Sequence, residues 1–336
     1  MLFPEKKSKI ILTAKKQQPY NFLQMKILIL RFSSIGDIVL TTPVIRCLKE
    51  QLGAEIHYYT KPSFASILYS NPYLSKVHTL PNTGLPFLKD LKTENFDYII
   101  DLHNNLRTRL IKLYLGKPSF SFDKLNWAKY LLVNFKINKM SNLHIVDRYL
   151  NAVKPLGVIN DQKGLDYFIP QKDEVSLGSL PMQIQTGYTA LVVGASFSTK
   201  RLPLHKLIEM VRSISGPILV LGGKEDSETG ETLKNQFPGK VHNGAGKFNL
   251  NQSASLVKQA SKVYSHDTGL MHIAAAFKKD IVSIWGNTVP EFGMYPYQTN
   301  YSIIENKGLS CRPCSKIGYN HCPKGHFKCM EDLRFE

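Results

Sequence analysis

Short apolar runs alternate with amphipathic stretches along the chain, and the alternation occurs twice. In the first half, runs at Lys26–Phe32, Glu55–Thr60, Lys76–Leu80 and Asp97–Leu102 predict strands. Ile27 to Leu30 is apolar at every position, the mark of a parallel strand buried on both faces. Helical periodicity follows at Ile38–Gln51, Ser63–Tyr69, Asn105–Tyr114 and Ile145–Val153. From Gly157 to Gly187 the text loosens into Pro, Gly, Asp, Gln and Ser without a sustained period, which predicts a linker. A second series then begins, with strands at Thr189–Val193, Pro217–Leu221, Lys262–Ser265 and Asp280–Trp285. Helices at Leu204–Ser213, Glu228–Gln236, Asn251–Ala260 and Leu270–Phe277 interleave with them. Such alternation implies right-handed βαβ units and parallel sheets covered on both faces. The predicted class is α/β, with two Rossmann-like parallel-sheet domains, 25–170 and 180–336, facing a central cleft.

Composition agrees with two domains: 336 residues at 43% apolar content suffice for two separate cores. No apolar run approaches the ~18 residues needed to span a bilayer. Met1 to Lys7 lack the apolar stretch and small-residue cleavage site of an export signal, so a cytoplasmic location is expected. Residues 1–24 carry five lysines and one glutamate. Either they form a disordered basic extension or Met25 is the natural start.

The net charge of +17 changes the picture more. Asp101 to Lys154 holds ten Lys/Arg against three Asp, which suggests an anionic partner. Aromatic RNA-binding motifs, zinc-finger spacings and helix-turn-helix signals are absent, so nucleic acid is not expected. A phosphorylated glycolipid met peripherally at a membrane surface fits better, beside the plain alternative of a solvated basic face. Cys311-x2-Cys314-x7-Cys322-x6-Cys329, with His321 and His326 among them, reads as a structural zinc knuckle or as free thiols or a redox-dependent disulfide. Cys47 reads as a small buried apolar residue.

Two turns carry candidate chemistry. Ser265-His-Asp-Thr-Gly-Leu-Met-His272 joins an apolar strand to an apolar helix. Its free backbone N–H groups and the helix dipole suit a diphosphate, although Asp267 can also be a plain N-cap. Arg31-Phe-Ser-Ser-Ile-Gly-Asp37 follows the first strand, at the carboxyl end where open α/β sheets keep their sites. Gly36 is expected to permit a tight or left-handed backbone, and Asp37 to stand at the start of a helix running through Pro43.

Met25-Lys-Ile-Leu-Ile-Leu-Arg-Phe-Ser-Ser-Ile-Gly-Asp, Phe96-Asp-Tyr-Ile-Ile-Asp-Leu, Gly194-Ala-Ser-Phe-Ser-Thr-Lys-Arg-Leu-Pro and Asp267-Thr-Gly-Leu-Met-His occur in this order. Together they resemble the ADP-heptose:lipopolysaccharide heptosyltransferases, glycosyltransferase family 9, from about Met25 to Pro296. The resemblance implies a GT-B architecture and inverting, metal-independent transfer of a heptose from ADP-heptose to an inner-core acceptor. A transferase using another nucleotide sugar, or a non-catalytic glycan- or nucleotide-binding protein, remains the alternative.

By the same resemblance Asp37 is the catalytic base, and burial is expected to raise its pKa. Lys200 binds the diphosphate, with Ser196 as a phosphate contact and Ser198 and Thr199 as further hydroxyls. Arg201 is expected to be exposed. Leu221-Gly-Gly-Lys-Glu-Asp226 matches a nucleotide loop whose acidic residue accepts from ribose, either Glu225 or Asp226. Phe248 matches a segment lining the adenine, and serves equally as core. Asp267, Thr268, Gly269 and Leu270 carry over as donor contacts, and His272, one turn on, faces the same ligand. The residues themselves offer Ser34 to orient Asp37 or the acceptor, and His103 and Arg107 to meet an anionic acceptor. No catalytic metal or cofactor is implied.

Overall fold

The computed structural model describes residues 24–80 and 87–335. The expected basic extension lies outside the described residues except for Gln24, whose side chain donates to the Gly53 carbonyl at 2.6 Å. The first sheet is built from β1 (Lys26–Leu30), β2 (Glu55–Thr60), β3 (Lys76–Thr79), β4 (Tyr98–Asp101) and β5 (Ser119–Ser121). Its order is β3-β2-β1-β4-β5, with every pair parallel. Helices α1 (Ile35–Val39), α2 (Thr42–Leu52), α3 (Phe87–Thr93), α4 (Leu106–Leu115), α5 (Asn126–Phe135) and α6 (Ile145–Val153) accompany it.

The second sheet contains β6 (Thr189–Val192), β7 (Ile218–Leu221), β8 (Val241–Asn243), β9 (Lys262–His266), β10 (Asp280–Trp285) and β11 (Tyr301–Glu305). The order β11-β10-β9-β6-β7-β8 is again wholly parallel. Its helices are α7 (Met182–Gln185), α8 (Leu204–Ser213), α9 (Ser227–Gln236), α10 (Leu250–Gln259), α11 (Gly269–Ala276) and α12 (Lys328–Glu331). Ile27 to Leu30 are fully buried, as continuous apolarity requires of a central strand. Each sheet reverses its winding once, between β1 and β4 and between β6 and β9. Those switch points, at the carboxyl ends of the strands, are where the site loops leave.

The predicted helix Ile38–Gln51 is two helices. Pro43 sits in the first turn of α2, where a missing N–H costs nothing, and the Thr41 and Thr42 hydroxyls donate to the carbonyls of Ile38 and Val39. Ser63–Tyr69 is a short 3-10 turn, Pro62–Ile67.

The expected linker has no strand, yet it is tied down on both sides. Buried Arg46 donates to Asp161 at 2.7 and 2.9 Å, to the Gly164 carbonyl at 2.8 Å and to Asp166. Tyr167 donates to Asn251 at 2.6 Å, and Asp173 accepts from Asn249 and Asn251. The loop after β10 also crosses between the halves: Ile145 N donates to Gly293 O at 2.8 Å and Arg148 to Phe292 O at 2.8 Å. No described helix is long and apolar enough to cross a membrane.

Candidate active site

The turn after β1 is short because a capping residue starts α1 at once. Ser34 donates to Asp37 Oδ2 from its N–H at 3.1 Å and its hydroxyl at 2.8 Å, so both groups fix the carboxylate against the helix start. Arg31 reaches the other oxygen, Oδ1, at 2.6 Å. The guanidinium is itself positioned from afar, by the Leu102 carbonyl at 2.5 Å and Tyr149 Oη at 3.0 Å. Burial pushes the Asp37 pKa up, but Arg31 and the Ser34 hydrogen bonds outweigh it and hold the group below its ordinary value. The expected upward shift is therefore corrected. The cation that reverses it, Arg31, stands at the start of the same loop.

Gly36 is also corrected. Its backbone is helical, with no left-handed φ. What demands glycine is space: a Cβ there would lie 2.5 Å from the ring of His272. Reciprocally, a Cβ on Gly269 would stand 2.6 Å from the Ile35 side chain. The N-termini of α1 and α11 thus meet across the two halves through two glycines, bringing Asp37 beside the Asp267–His272 turn. His272 is buried, with Nδ1 unpartnered, and burial drives its pKa down to about 4 against the pull of Asp267 and Asp37. It is a neutral ring between two carboxylates.

On the other side, Lys200 leaves the loop after β6 and pairs with Asp267 Oδ2 at 2.5 Å. Thr288 donates to the same oxygen at 3.0 Å. Thr268 precedes the first turn of α11, so Asp267, Thr268, Gly269 and Leu270 line the cleft beside that helix's free N–H groups. Ser196 and Phe248 line it too.

Burial separates the two acids of the loop after β7. Asp226 is buried, accepting from Gly223 N at 2.8 Å and Arg201 at 3.2 Å, while exposed Glu225 has no side-chain partner among the described residues and lines the cavity. Arg201 is correspondingly not a free surface residue: it also donates to the Ala195 carbonyl at 2.7 Å.

Three expected residues are not brought into the cleft. The Thr199 hydroxyl is buried and exchanges hydrogen bonds with the Tyr319 backbone at 2.9 and 2.8 Å, anchoring the C-terminal segment. His103 packs its ring 5.0 Å from Phe32, and Arg107 lies over the same ring at 5.9 Å. Burial pushes His103 down to about 4, which leaves it uncharged and unsuited to an anion at neutral pH.

In their place Lys124 and Lys129 line the cavity with no side-chain partner among the described residues, and Lys316 joins them from the cysteine-bearing segment. Burial, with Arg148 nearby, lowers Lys129 to about 8. The two lysines of the first half lay within the basic run read from the sequence. Lys316 carried no local signal. The open cleft has a volume of about 720 Å³.

Among the described residues, the one group of three metal-type ligands that converges is His57, His78 and Glu94, away from this cleft. Lys26 and Lys76 already hold Glu94, at 3.1 and 2.5 Å. Among the described residues no disulfide joins the C-terminal cysteines, and Cys311 Sγ lies 3.9 Å from His326 Nε2.

Residues 85–323 match the family described as glycosyltransferase family 9 (heptosyltransferase). The chain is 26% identical to lipopolysaccharide heptosyltransferase 1 of Campylobacter coli, over 84% of this chain and 90% of that protein. It is 25% identical to lipooligosaccharide heptosyltransferase 2 of Haemophilus influenzae, over 88% and 94%. The structure of E. coli ADP-heptose lipopolysaccharide heptosyltransferase II superposes with a TM-score of 0.66 at 18% identity, covering 92% of this chain and 98% of that one. The shared fold is the predicted GT-B arrangement.

Proposed function

This chain belongs to glycosyltransferase family 9, and from that premise we propose that it moves a heptose from ADP-heptose to a lipopolysaccharide inner-core acceptor, with inversion and without a metal. The relatives named as heptosyltransferases support the donor and acceptor. The observation that carries the mechanism is the Gly36–Gly269 contact, which sets a carboxylate of one half against the anion-binding helix start of the other.

In this reading Asp37 accepts the proton of the acceptor hydroxyl as that oxygen bonds to the sugar's anomeric carbon. The bond from that carbon to the diphosphate breaks on the opposite side, and ADP leaves with the electron pair. The leaving charge meets Lys200, the Ser196 hydroxyl and the amides at the start of α11. To do so Lys200 gives up Asp267, whose freed carboxylate accepts from sugar hydroxyls. Glu225 receives the ribose hydroxyls and Phe248 the adenine, while His272, being neutral, packs without adding charge. Ser34 keeps Asp37 aimed, and Lys124 and Lys129 meet acceptor phosphates. The protein works at the cytoplasmic face of a membrane as a peripheral enzyme.

A donor screen with a truncated lipopolysaccharide acceptor tests this. Turnover is expected with ADP-heptose and not with UDP- or GDP-sugars. Turnover confined to another nucleotide sugar, or none with any donor, would overturn the assignment.

A further inference from the structure

Apolar side chains exposed on a folded domain are usually scattered. Here nine of the sixteen large exposed hydrophobics among the described residues fall between Leu106 and Leu143. On α4, Leu106, Leu110 and Leu113 recur at i, i+4 and i+7 with relative exposures of 74%, 58% and 80%. They form a second apolar face opposite the buried Thr108, Ile111 and Leu115. On α5, Ala128 and Leu132 point inward while Trp127, Tyr130 and Phe135 are exposed. Trp127 stacks on Tyr130 at 5.6 Å, and Tyr130 meets Phe135 edge-on at 5.9 Å. The loops that launch the two helices are tied together by Asn104, which donates to the Phe122 carbonyl at 3.0 Å. Both faces therefore start from one corner of the first sheet, the corner that sends Lys124 and Lys129 into the cleft.

Charge identifies what covers them. Residues 105–143 hold eight Lys/Arg and a single acid, Asp123. Arg109 and Lys139 are exposed and have no ion-pair partner among the described residues, and Arg107 is exposed above the Phe32 ring. A protein partner or a second copy of this chain would bury those charges against an equally basic surface or need an acidic one. Aromatic residues with leucines, framed by arginine and lysine, match the interface of an anionic bilayer, where rings sit at headgroup level and cations meet phosphate.

We propose that the outer faces of α4 and α5 are a docking surface for an anionic lipid bilayer. It rests on the reading of the acceptor as a glycolipid, and it sets the cleft mouth against the membrane that would present one.

The chain has two tryptophans, and Trp285 is 1% exposed against 71% for Trp127, so emission reports Trp127 directly. The full chain should sediment with vesicles of phosphatidylcholine containing phosphatidylglycerol, less with phosphatidylcholine alone, and its emission should shift to the blue on binding. Leu110→Ser with Leu113→Ser and Tyr130→Ser should weaken vesicle partitioning about tenfold or more. The same variant should keep wild-type transfer to a soluble, lipid-free acceptor. Arg109→Gln with Lys139→Gln, exposed changes that leave the fold alone, should erase the preference for phosphatidylglycerol. Absence of vesicle binding by the wild type, binding without the blue shift, or a self-association lost in the leucine–tyrosine variant would overturn the proposal. A failed donor screen with vesicle binding intact would sink the heptosyl reading and leave the docking surface standing.

Discussion

The two sides of the cleft hold their charges differently. On the first side, Asp37 is satisfied from within its own half: Ser34 occupies one oxygen and Arg31 the other, and distant backbone fixes Arg31 in turn. On the second side, Lys200 and Asp267 satisfy each other across two loops. The first arrangement is complete before any ligand arrives. The second is an internal pair that a phosphate and a sugar can take apart, each ion receiving a new partner. In the proposed mechanism, preorganisation lies with the proton acceptor and exchange with the donor site.

The largest expected effect breaks the first side. Asp37→Asn keeps the shape and the Ser34 contacts but removes the proton acceptor, so turnover should fall by about 10²–10⁴ with donor affinity within a few fold. Single-turnover assays with donor titration separate the two quantities, and near wild-type turnover would remove Asp37 from the mechanism.

Breaking the second side should act differently. Lys200→Ala takes the cation from Asp267 and leaves the diphosphate short of one, costing about 2–4 kcal/mol in donor binding or transfer. Chelator should leave the wild-type rate intact. Strict dependence on added Mg²⁺ or Mn²⁺ would show that a metal, not Lys200 and α11, meets the diphosphate.

The pH dependence sharpens the contrast. A lowered Asp37 value means the base stays ionised, and its contribution to stability stays present, above the unfolded carboxylate value of ~3.9. Both are lost only as pH falls through the lower folded value. Arg31→Met should move the acid limb of the rate profile to higher pH. An unmoved limb would mean that Arg31 does not set the base.

The smallest effect concerns the basic wall. With Lys129 at about 8, kcat/KM for the acceptor should decline as pH rises through that value, and Lys129→Gln should flatten the limb. Lys124→Gln with Lys129→Gln should raise acceptor KM severalfold, most at low salt, and spare nucleotide affinity. Arg107→Gln, outside the cleft, should leave KM for a lipid-free acceptor unchanged. An effect of Arg107 equal to that of the lysines would put it back in the site.

Much of this was legible before any fold was known. The run Ile27 to Leu30 announced a buried parallel strand, and the turns at Ser33–Asp37 and Asp267–His272 stood out as candidate loops that the fold then brings to one cleft, because glycine, hydroxyl and carboxylate placement at a strand–helix junction is a local matter. Short edge strands escaped: Ser119–Ser121 and Val241–Asn243 are three residues each, too brief for a period to register. The linker looked loose because its order comes from Arg46, Asn249 and Asn251, partners that its own composition does not show.

The sequence by itself determined two parallel sheets, the loops at their carboxyl ends and the residue types offered there. Only the tertiary structure decided that Glu225 rather than Asp226 is free, that Gly36 is needed for His272 rather than for a turn, and that the pKa of Asp37 falls. The first two depend on contacts between residues far apart in the chain, and the third on where distant groups hold Arg31. Arg31 gains its place from Leu102 and Tyr149, 71 and 118 positions away. Coulomb attraction and excluded volume act over a few ångströms, and local sequence patterns do not encode such distances.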